Sequence, residues 1–391
     1  MKSKFYIFFI AFTITGFETF SQATTDGRQG NTITTAVPFL LITPDARSGA
    51  MGDAGVAISP DANSTHWNPA KLAFMKDPYG FGLSYSPWLQ KLVPDINLAY
   101  LNGYYKLDDR NTIGGSLRYF SLGNIQFVDV NQIKQGDFNP NELSVDGTYA
   151  RSFGENFSLG TALRFIYSNL SGGATFENQQ TKPGTALAAD VSAFYTKDNQ
   201  LFGKNATISA GLDISNIGTK MSYTDGGPKY FLPTNMRLGG AATIHADDFN
   251  DFTFALDVNK LLVPTNPIRE NNDPNGRIIS GKDPNRSVPA GIFGSFSDAP
   301  GGFSEEFQEV SISTGLEYWY NQQFAIRAGY FYENPNKGNR QYLSLGLGLK
   351  YNVVDLNFSY LLANQQQSPL ANTLRFSLLF NFASQSATST R

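Results

Sequence analysis

From about residue 79 onward the chain alternates apolar and polar side chains with a period of two, in stretches of about 9 to 11 residues, the length of a tilted bilayer-crossing strand. In Thr373 to Phe382, Leu374, Phe376, Leu378, Phe380 and Phe382 share one face, while Thr373, Arg375, Ser377 and Asn381 share the other. Gln341 to Tyr351 sets Leu343, Leu345, Leu347, Leu349 and Tyr351 against Ser344, Gly346, Gly348 and Lys350, and the stretches 157–167 and 251–259 repeat the pattern. Such segments place strands near Gly80, Ile96, Asn111, Glu142, Phe157, Thr185, Ala206, Asn235, Asp251, Val310, Phe324, Gln341, Val354 and Thr373. That is about 14, an even number, as a bacterial outer-membrane barrel requires.

The connections test this independently, because such barrels have short periplasmic turns and long extracellular loops. Short links at 107–110, 153–156, 197–205, 246–250, 321–323 and 352–353 alternate with long or Pro/Gly-rich ones at 87–95, 122–141, 169–184, 216–234, 260–309, 333–340 and 363–372. Both chain ends are then expected in the periplasm. Charge gives a third test, since Arg or Lys on the lipid face at the midplane costs about 2–4 kcal/mol. Arg118, Arg164, Arg237, Arg327 and Arg375, with Asp146, Asp190, Asp213, Asp257, Glu317 and Asp355, all fall on the polar phase and are expected to face the lumen. There they would act as pore-filling support, as ion pairs or around water. Tyr100, Tyr104, Tyr167, Tyr318, Tyr330, Tyr332 and Tyr351 are assigned to the outward phase near strand ends, as an aromatic girdle. A soluble sandwich or lipocalin-like barrel fits the strand lengths and link alternation less well. The reading is an all-β, transmembrane antiparallel barrel over residues 79–382, with a short periplasmic tail at 383–391.

Mean hydropathy of −0.26 looks soluble, but a strand that alternates lipid-facing and lumen-facing residues averages to the middle. Only 16% of residues are charged and 14% are aromatic, against roughly 25% charged in an ordinary soluble domain. Cysteine is absent, which excludes disulfides, thiol nucleophiles, Cys-based metal sites and cysteine lipidation. With 30 Lys+Arg against 33 Asp+Glu, there is no electrostatic footprint for nucleic acid.

Residues 1–23 carry Lys2 and Lys4, an apolar run from Phe5 to Phe17, and small residues at Ser21 and Ala23, the build of a secretory signal peptide. The alternative, a membrane anchor, needs roughly 20 apolar residues, and this run is about 13. Residues 24–78 lack strand alternation and read as short helices and turns that pack in the lumen as a plug. They include the run Pro44 to Ala57, then Asp61-Ala62-Asn63-Ser64 and Trp67-Asn68-Pro69-Ala70. The Asn68-Pro69 step marks a turn.

The stretches Gly55-Val56-Ala57, Asp61-Ala62-Asn63-Ser64 and Asn68-Pro69-Ala70 resemble the N-terminal hatch of FadL-type outer-membrane transporters, a family whose fold is a hatch-plugged barrel of the same strand number. More closely, Thr43 to Phe74, together with Ser86 to Leu89, Val93 to Tyr100 and Ser116 to Ile125, is similar to the PorV family of type IX secretion outer-membrane proteins of Bacteroidota. That resemblance spans the chain in length and topology, with its specific motifs in residues 40–130. It implies a non-enzymatic component that binds the giant translocon barrel and closes its lateral gate. It further implies receipt of cargo through C-terminal signal domains and delivery to a surface attachment complex with a sortase-like protease. It assigns no contact residue by residue. The loops and outer girdle are the surfaces that face a membrane partner and emerging cargo. The longest loop, Lys260 to Glu309, carries six prolines with Arg269, Arg277 and Arg286, and is the candidate partner loop, a disordered surface loop being the alternative.

Chemistry offers little. His66 and His245 are the two histidines, and both read as solvated or hydrogen-bonded rim residues rather than as members of a Ser/His pair. The acidic turns Asp108-Asp109, Asp247-Asp248 and Asp137 lack calcium-loop spacing, so no metal or cofactor is assigned. Gly114-Gly115, Gly239-Gly240 and the Gly346/Gly348 pair lie within strands and read as close packing of lumen residues. A secretion component ranks first, a passive transporter of hydrophobic small molecules second, and a lipid-modifying enzyme a distant third.

Overall fold

The computed structural model describes residues 32–88, 95–128, 134–173, 175–176, 179–273, 275–363 and 373–382, all within one compact unit, Asn31–Arg391. Residues 1–31, which include the expected signal peptide, residues 383–391 and parts of five long links lie outside the described residues.

Fourteen antiparallel strands close into a barrel. They are β1 (Tyr79–Pro87), β2 (Ile96–Lys106), β3 (Asn111–Leu122), β4 (Asn141–Ser152), β5 (Phe157–Asn169), β6 (Gly184–Leu201) and β7 (Lys204–Gly218). The second half is β8 (Asn235–His245), β9 (Asn250–Leu261), β10 (Val310–Tyr320), β11 (Phe324–Tyr332), β12 (Gln341–Tyr351), β13 (Val354–Ala363) and β14 (Leu374–Phe382). Each strand pairs with its sequence neighbours, and the seam closes between β1 and β14 with Tyr79 opposite Phe382. Closure leaves no edge strand and no unpaired backbone facing lipid, which a membrane core demands. Phe81 and Phe380 stack across the seam with ring centroids 4.8 Å apart.

Exposed and buried residues alternate along the strands, for example Leu343, Leu345, Leu347 and Leu349 outside and Ser344 and Gly346 inside β12. Two tyrosines depart from the expected girdle. Tyr100 and Tyr104 face the lumen, with the Tyr100 hydroxyl 2.7 Å from Thr65 Oγ1 and Tyr104 donating to Asn381 at 3.3 Å. The cause is the plug. β2 turns Ile96, Leu98, Tyr100, Asn102 and Tyr104 inward against it, so apolar side chains are wanted on both faces and the phase loses its sign. The link expected at 197–205 is also shorter than read. β6 and β7 continue to a two-residue turn, Phe202-Gly203, with φ of 53° and 73°. Lys197 to Gln200 are exposed throughout, so no alternation marks the protruding hairpin as strand.

Residues 32–78 run through the lumen without a strand, as short helical turns: Pro38–Leu41, α1 (Ala46–Ala50), α2 (Ser64–Trp67) and Pro69–Phe74. The segment starts at the long-loop end, where Ala36 N–H donates to the Phe231 carbonyl and Asn266 donates to the Thr32 carbonyl. It finishes at the short-turn end, where β1 begins. The last strand also ends there, while Thr32, the first described residue, lies at the long-loop end; the chain ends themselves lie outside the described residues. The long connection between β9 and β10 is folded rather than disordered. It contains a small hairpin pairing Ile268–Arg269 with Ile278–Ser280, then α3 (Val288–Gly294) and α4 (Phe303–Gln308).

Candidate functional site

Two features stand out: the way the wall grips the hatch, and the way the rim holds the long loop. The grip starts with carboxylates on the wall meeting donors on the hatch. Asp257 on β9 accepts the backbone N–H groups of Gly55 and Val56 at 2.7 and 2.9 Å, satisfying a turn with no partner of its own. Glu317 on β10 takes Arg47 of α1 in a two-pronged pair at 3.0 and 2.8 Å and Arg327 of β11 at 2.6 Å. Arg47 also reaches Asp61 at 3.1 Å and Ser59 Oγ at 2.7 Å.

The hatch motif residues act locally. Asp61 accepts the N–H of Asn63, and Asn63 Oδ1 accepts from Asn102 on β2 at 2.8 Å. Asn68 caps the Pro69–Phe74 turn by accepting the Ala70 N–H, while its amide donates to the Val56 and Ala193 carbonyls. Pro69 sits at the first helical position, where its missing N–H costs nothing. Ala70 presses on β5 at Gly160, where a Cβ would stand 2.3 Å from the Ala70 nitrogen. Lys71 is buried and donates to the Gly55 carbonyl at 2.8 Å.

The remaining expected lumen charges are buried apart from Asp355, which is half-buried and accepts from Asn357 at 2.9 Å. Arg164 bridges Asp146 at 2.6 Å and Asp190 at 2.9 Å and donates to Asn216. Asn216 has φ of 62° and donates its N–H to Asp190 at 2.7 Å, opposite the register shift between Ala189 and Val191. The strand therefore bends inward to complete the cluster. Arg237 pairs with Asp213 at 3.3 Å and lies 5.2 Å over the Trp67 ring. Arg375 stands 3.6 Å from Asp53. Arg118 donates to the Leu40 carbonyl at 2.8 Å and contacts His66 Nδ1 at 2.6 Å.

His66 is thus no rim residue but lies buried in the lumen. The Arg118 guanidinium can only donate, so His66 Nδ1 accepts from it. His245 does lie at the short-turn rim, 2.7 Å from Asp251. Its Nε2 stands 3.3 Å from the Thr207 hydroxyl, so a hydroxyl, the imidazole and a carboxylate line up at this half-exposed rim, whereas His66 contacts the Arg118 guanidinium.

Apolar packing completes the seal. At the long-loop end Val37, Phe39 and Leu40 fill the space among Leu98, Phe120, Ile166, Met221 and Leu232. In the middle Met51, Val56 and Ile58 pack on Ala241 and Ala255, and at the other end Leu72 and Met75 pack on Tyr104, Ala150 and Leu379. Sequence reasoning missed the first of these. Its signal was the apolar inward phase of β2 beside Val37 to Leu41.

The loop is held by a second charge network. Lys260 at the end of β9 pairs with Glu306 at 2.9 Å and Glu309 at 2.7 Å, and Lys337 pairs with Glu305 at 2.5 Å and Glu309 at 3.0 Å. Glu306 also accepts the N–H groups of Asp298 and Ala299. Of the three loop arginines, Arg269 donates to the Gly276 carbonyl and Arg286 stands 3.5 Å from Asp298, both within the loop, while Arg277 is exposed. Among the polar residues that the loop presents outward stand three phenylalanines: Phe293, Phe303 and Phe307 are 78%, 75% and 63% exposed.

The sequence model for the type IX secretion system protein PorV matches residues 24–268. Among solved structures, the P. putida toluene transporter TodX is similar with a TM-score of 0.52 at 12% identity, over 87% of this chain and 98% of that one. The Ralstonia pickettii toluene transporter TbuX gives 0.48 at 12% identity, over 86% and 98%, and a Pseudomonas aeruginosa FadL homologue 0.44 at 11%, over 90% and 100%. No curated relative matches the sequence. At these identities the likeness to the transporters carries the fold alone.

Proposed function

Because the chain belongs to the PorV family of type IX secretion system proteins, we propose that it serves as the outer-membrane subunit that binds the translocon barrel and closes its lateral opening. In this reading it receives cargo through C-terminal signal domains and passes it to the surface attachment complex. The long-loop end is extracellular and the short-turn end periplasmic. The observation that carries the reading is the loop between β9 and β10: it is stapled to the rim by four ion pairs, yet it turns phenylalanines outward. An ordered loop with exposed large apolar side chains is a binding surface in a form that avoids paying folding entropy on association. The lumen supports the same reading, because Asp257, Glu317 and Arg118 on the wall bond to the hatch while Arg164 and Arg237 are paired with wall aspartates.

The second reading, passive transport of hydrophobic small molecules, draws on the apolar chamber at the extracellular end. That chamber holds Phe39 and Leu40 of the chain itself, so transport would require the Pro38–Leu41 turn to leave.

Mild-detergent affinity purification from the native outer membrane separates the two. A stoichiometric large barrel in the eluate is expected; recovery of the barrel alone with an apolar small molecule in its lumen would favour transport. In cells, replacing residues 267–301 with a short Gly/Ser turn is expected to abolish cargo secretion while the barrel still folds. His66→Ala and His245→Ala are expected to leave secretion in place. Normal secretion after loop replacement would sink the reading.

A further inference from the structure

The lipid-facing surface is not uniformly studded. Between β8 and β11 the row of outward residues runs Ala242, Phe254, Leu316, Ala328 in register across four strands. The two alanines leave a groove of about 500 Å³, walled by Phe252, Tyr318 and Ile326 and bounded by Phe202 at the tip of the β6–β7 hairpin. Phe202 is 92% exposed and holds φ of 53°, a left-handed backbone that a bulky residue occupies only at a cost in strain. Asn or Gly would fill that turn position without strain, so the ring is placed there against backbone preference.

The long loop rises from the centre of this same wall, since it joins β9 to β10. Its ion pairs turn the acidic side of α4 toward Lys260 and Lys337 on the rim. Phe303 and Phe307 are left on the other side, their rings edge to face at 4.6 Å. Ile279, Phe293 and Phe296 are exposed on the same loop. On the wall across the barrel, formed by β1 to β4, a second groove of about 690 Å³ lies over Gly103 and Gly115. Among the described residues, the large apolar side chains exposed on the loops above that wall are Ile125 and Leu170.

We propose that the β8–β11 wall, from the Ala242/Ala328 groove up to the phenylalanines of α3 and α4, is the face that docks laterally onto a second, larger integral outer-membrane barrel. The inference rests on the secretion reading above and adds which side of the barrel meets the partner. The two levels of the surface select the occupant. A lipid chain fills a groove at membrane depth but leaves the phenylalanines above the strand ends uncovered. A soluble protein covers the loop but cannot reach the groove. A barrel with its own wall and its own extracellular structure covers both. The small residues Ala242 and Ala328 on this outer face, toward the short-turn end, permit the close wall-to-wall contact by which proteins associate in lipid, where packing rather than the hydrophobic effect drives association.

A photo-reactive benzoylphenylalanine placed in cells at Leu316, Ala328 or Phe303, and in parallel at Leu117 or Val145 on the opposite wall, tests this. Adducts to one large outer-membrane protein are expected from the first three sites, and lipid adducts alone from the other two. Partner adducts from Leu117 or Val145 with none from Ala328 would overturn the proposal, as would lipid adducts alone from both walls while the complex still co-purifies. Loss of co-purification in the unmodified protein would instead remove the secretion reading beneath it. As a second measurement, Ala242→Trp with Ala328→Trp fills the groove from the lipid side without touching the lumen. Recovered complex is expected to fall at least about tenfold with the folded barrel yield unchanged. Unchanged recovery would refute the assignment.

Discussion

Glu317→Ala is expected to release the hatch from the barrel wall at a cost of about 3–5 kcal/mol, because it leaves two buried guanidinium groups facing each other without their shared carboxylate. Glu317 is 3% exposed, and Arg327 is 1% exposed with Asn357 as its remaining side-chain acceptor at 2.7 Å. Arg47 retains Asp61, so the hatch is weakened rather than freed of every contact. The pair's net contribution to stability is small compared with this figure, since most of the cost is that of stranding charge in a dry lumen. The effect is read as a lower temperature for loss of the compact, heat-modifiable form, and as new protease cleavage between residues 43 and 60. Asp225→Ala is the matched control. It breaks the exposed pair with Lys182, whose partners are 49% and 89% exposed, and is expected to shift stability by less than about 1 kcal/mol. Equal effects from the two substitutions would show that the Glu317 cluster does not anchor the hatch.

Gly329→Val is expected to act on the same contact by geometry alone. A Cβ at Gly329 would stand 2.0 Å from the Met51 carbonyl carbon and 2.1 Å from the Gly52 nitrogen. These are backbone atoms in a buried turn, and Gly52 itself holds φ of 67° against the Tyr330 backbone, so neither side has a rotamer to yield. Overpacking of a tight core costs about 1–3 kcal/mol where side chains can adjust, and more is expected where backbone must move. The hatch is expected to shift away from β10 and β11 and to admit ions, seen as a higher conductance across a planar bilayer than the parent protein shows. Gly147→Ala serves as the comparison, because nothing lies within 4 Å of its added methyl and the variant is expected to remain closed. A closed Gly329→Val barrel of normal stability would contradict the packing described here.

The strands were legible because lipid imposes one rule on one face of every one of them. Leu343 to Leu349 and Phe376 to Phe380 can be read without a structure for that reason. The rule failed where the other face became apolar too. Tyr100 and Tyr104 were assigned to the wrong side because the lumen beside β2 holds Phe39 and Leu40, and a period-two pattern with apolar residues in both phases has no polarity to read. The inward placement of Arg164, Asp257 and Glu317 followed from the cost of charge in lipid, but their partners did not. Glu317 meets Arg47 across 270 positions of sequence, and such pairings depend on barrel stagger, which a single chain does not display. The loop arginines were chosen for charge, yet Arg269 and Arg286 are spent inside the loop. Phe303 and Phe307, four apart beside Glu305 and Glu306, were the amphipathic signal there.

The hatch enters the lumen at one end and leaves it at the other, while its anchors come from strands all around the circumference. Ala46 bonds to Ser377 of the last strand, 331 positions away. A finished ring of hydrogen-bonded strands offers no side door for such a segment. A hatch already in place as the sheet curls can make these bonds strand by strand, with the β1–β14 seam closing around it. The earliest part of the chain acts as a mandrel on which the last part is wound. A barrel made from residues 76–391 and offered the hatch as a separate peptide is accordingly expected to stay open, which conductance would report. On that account the N-terminal segment shapes the assembly of the wall as well as filling it.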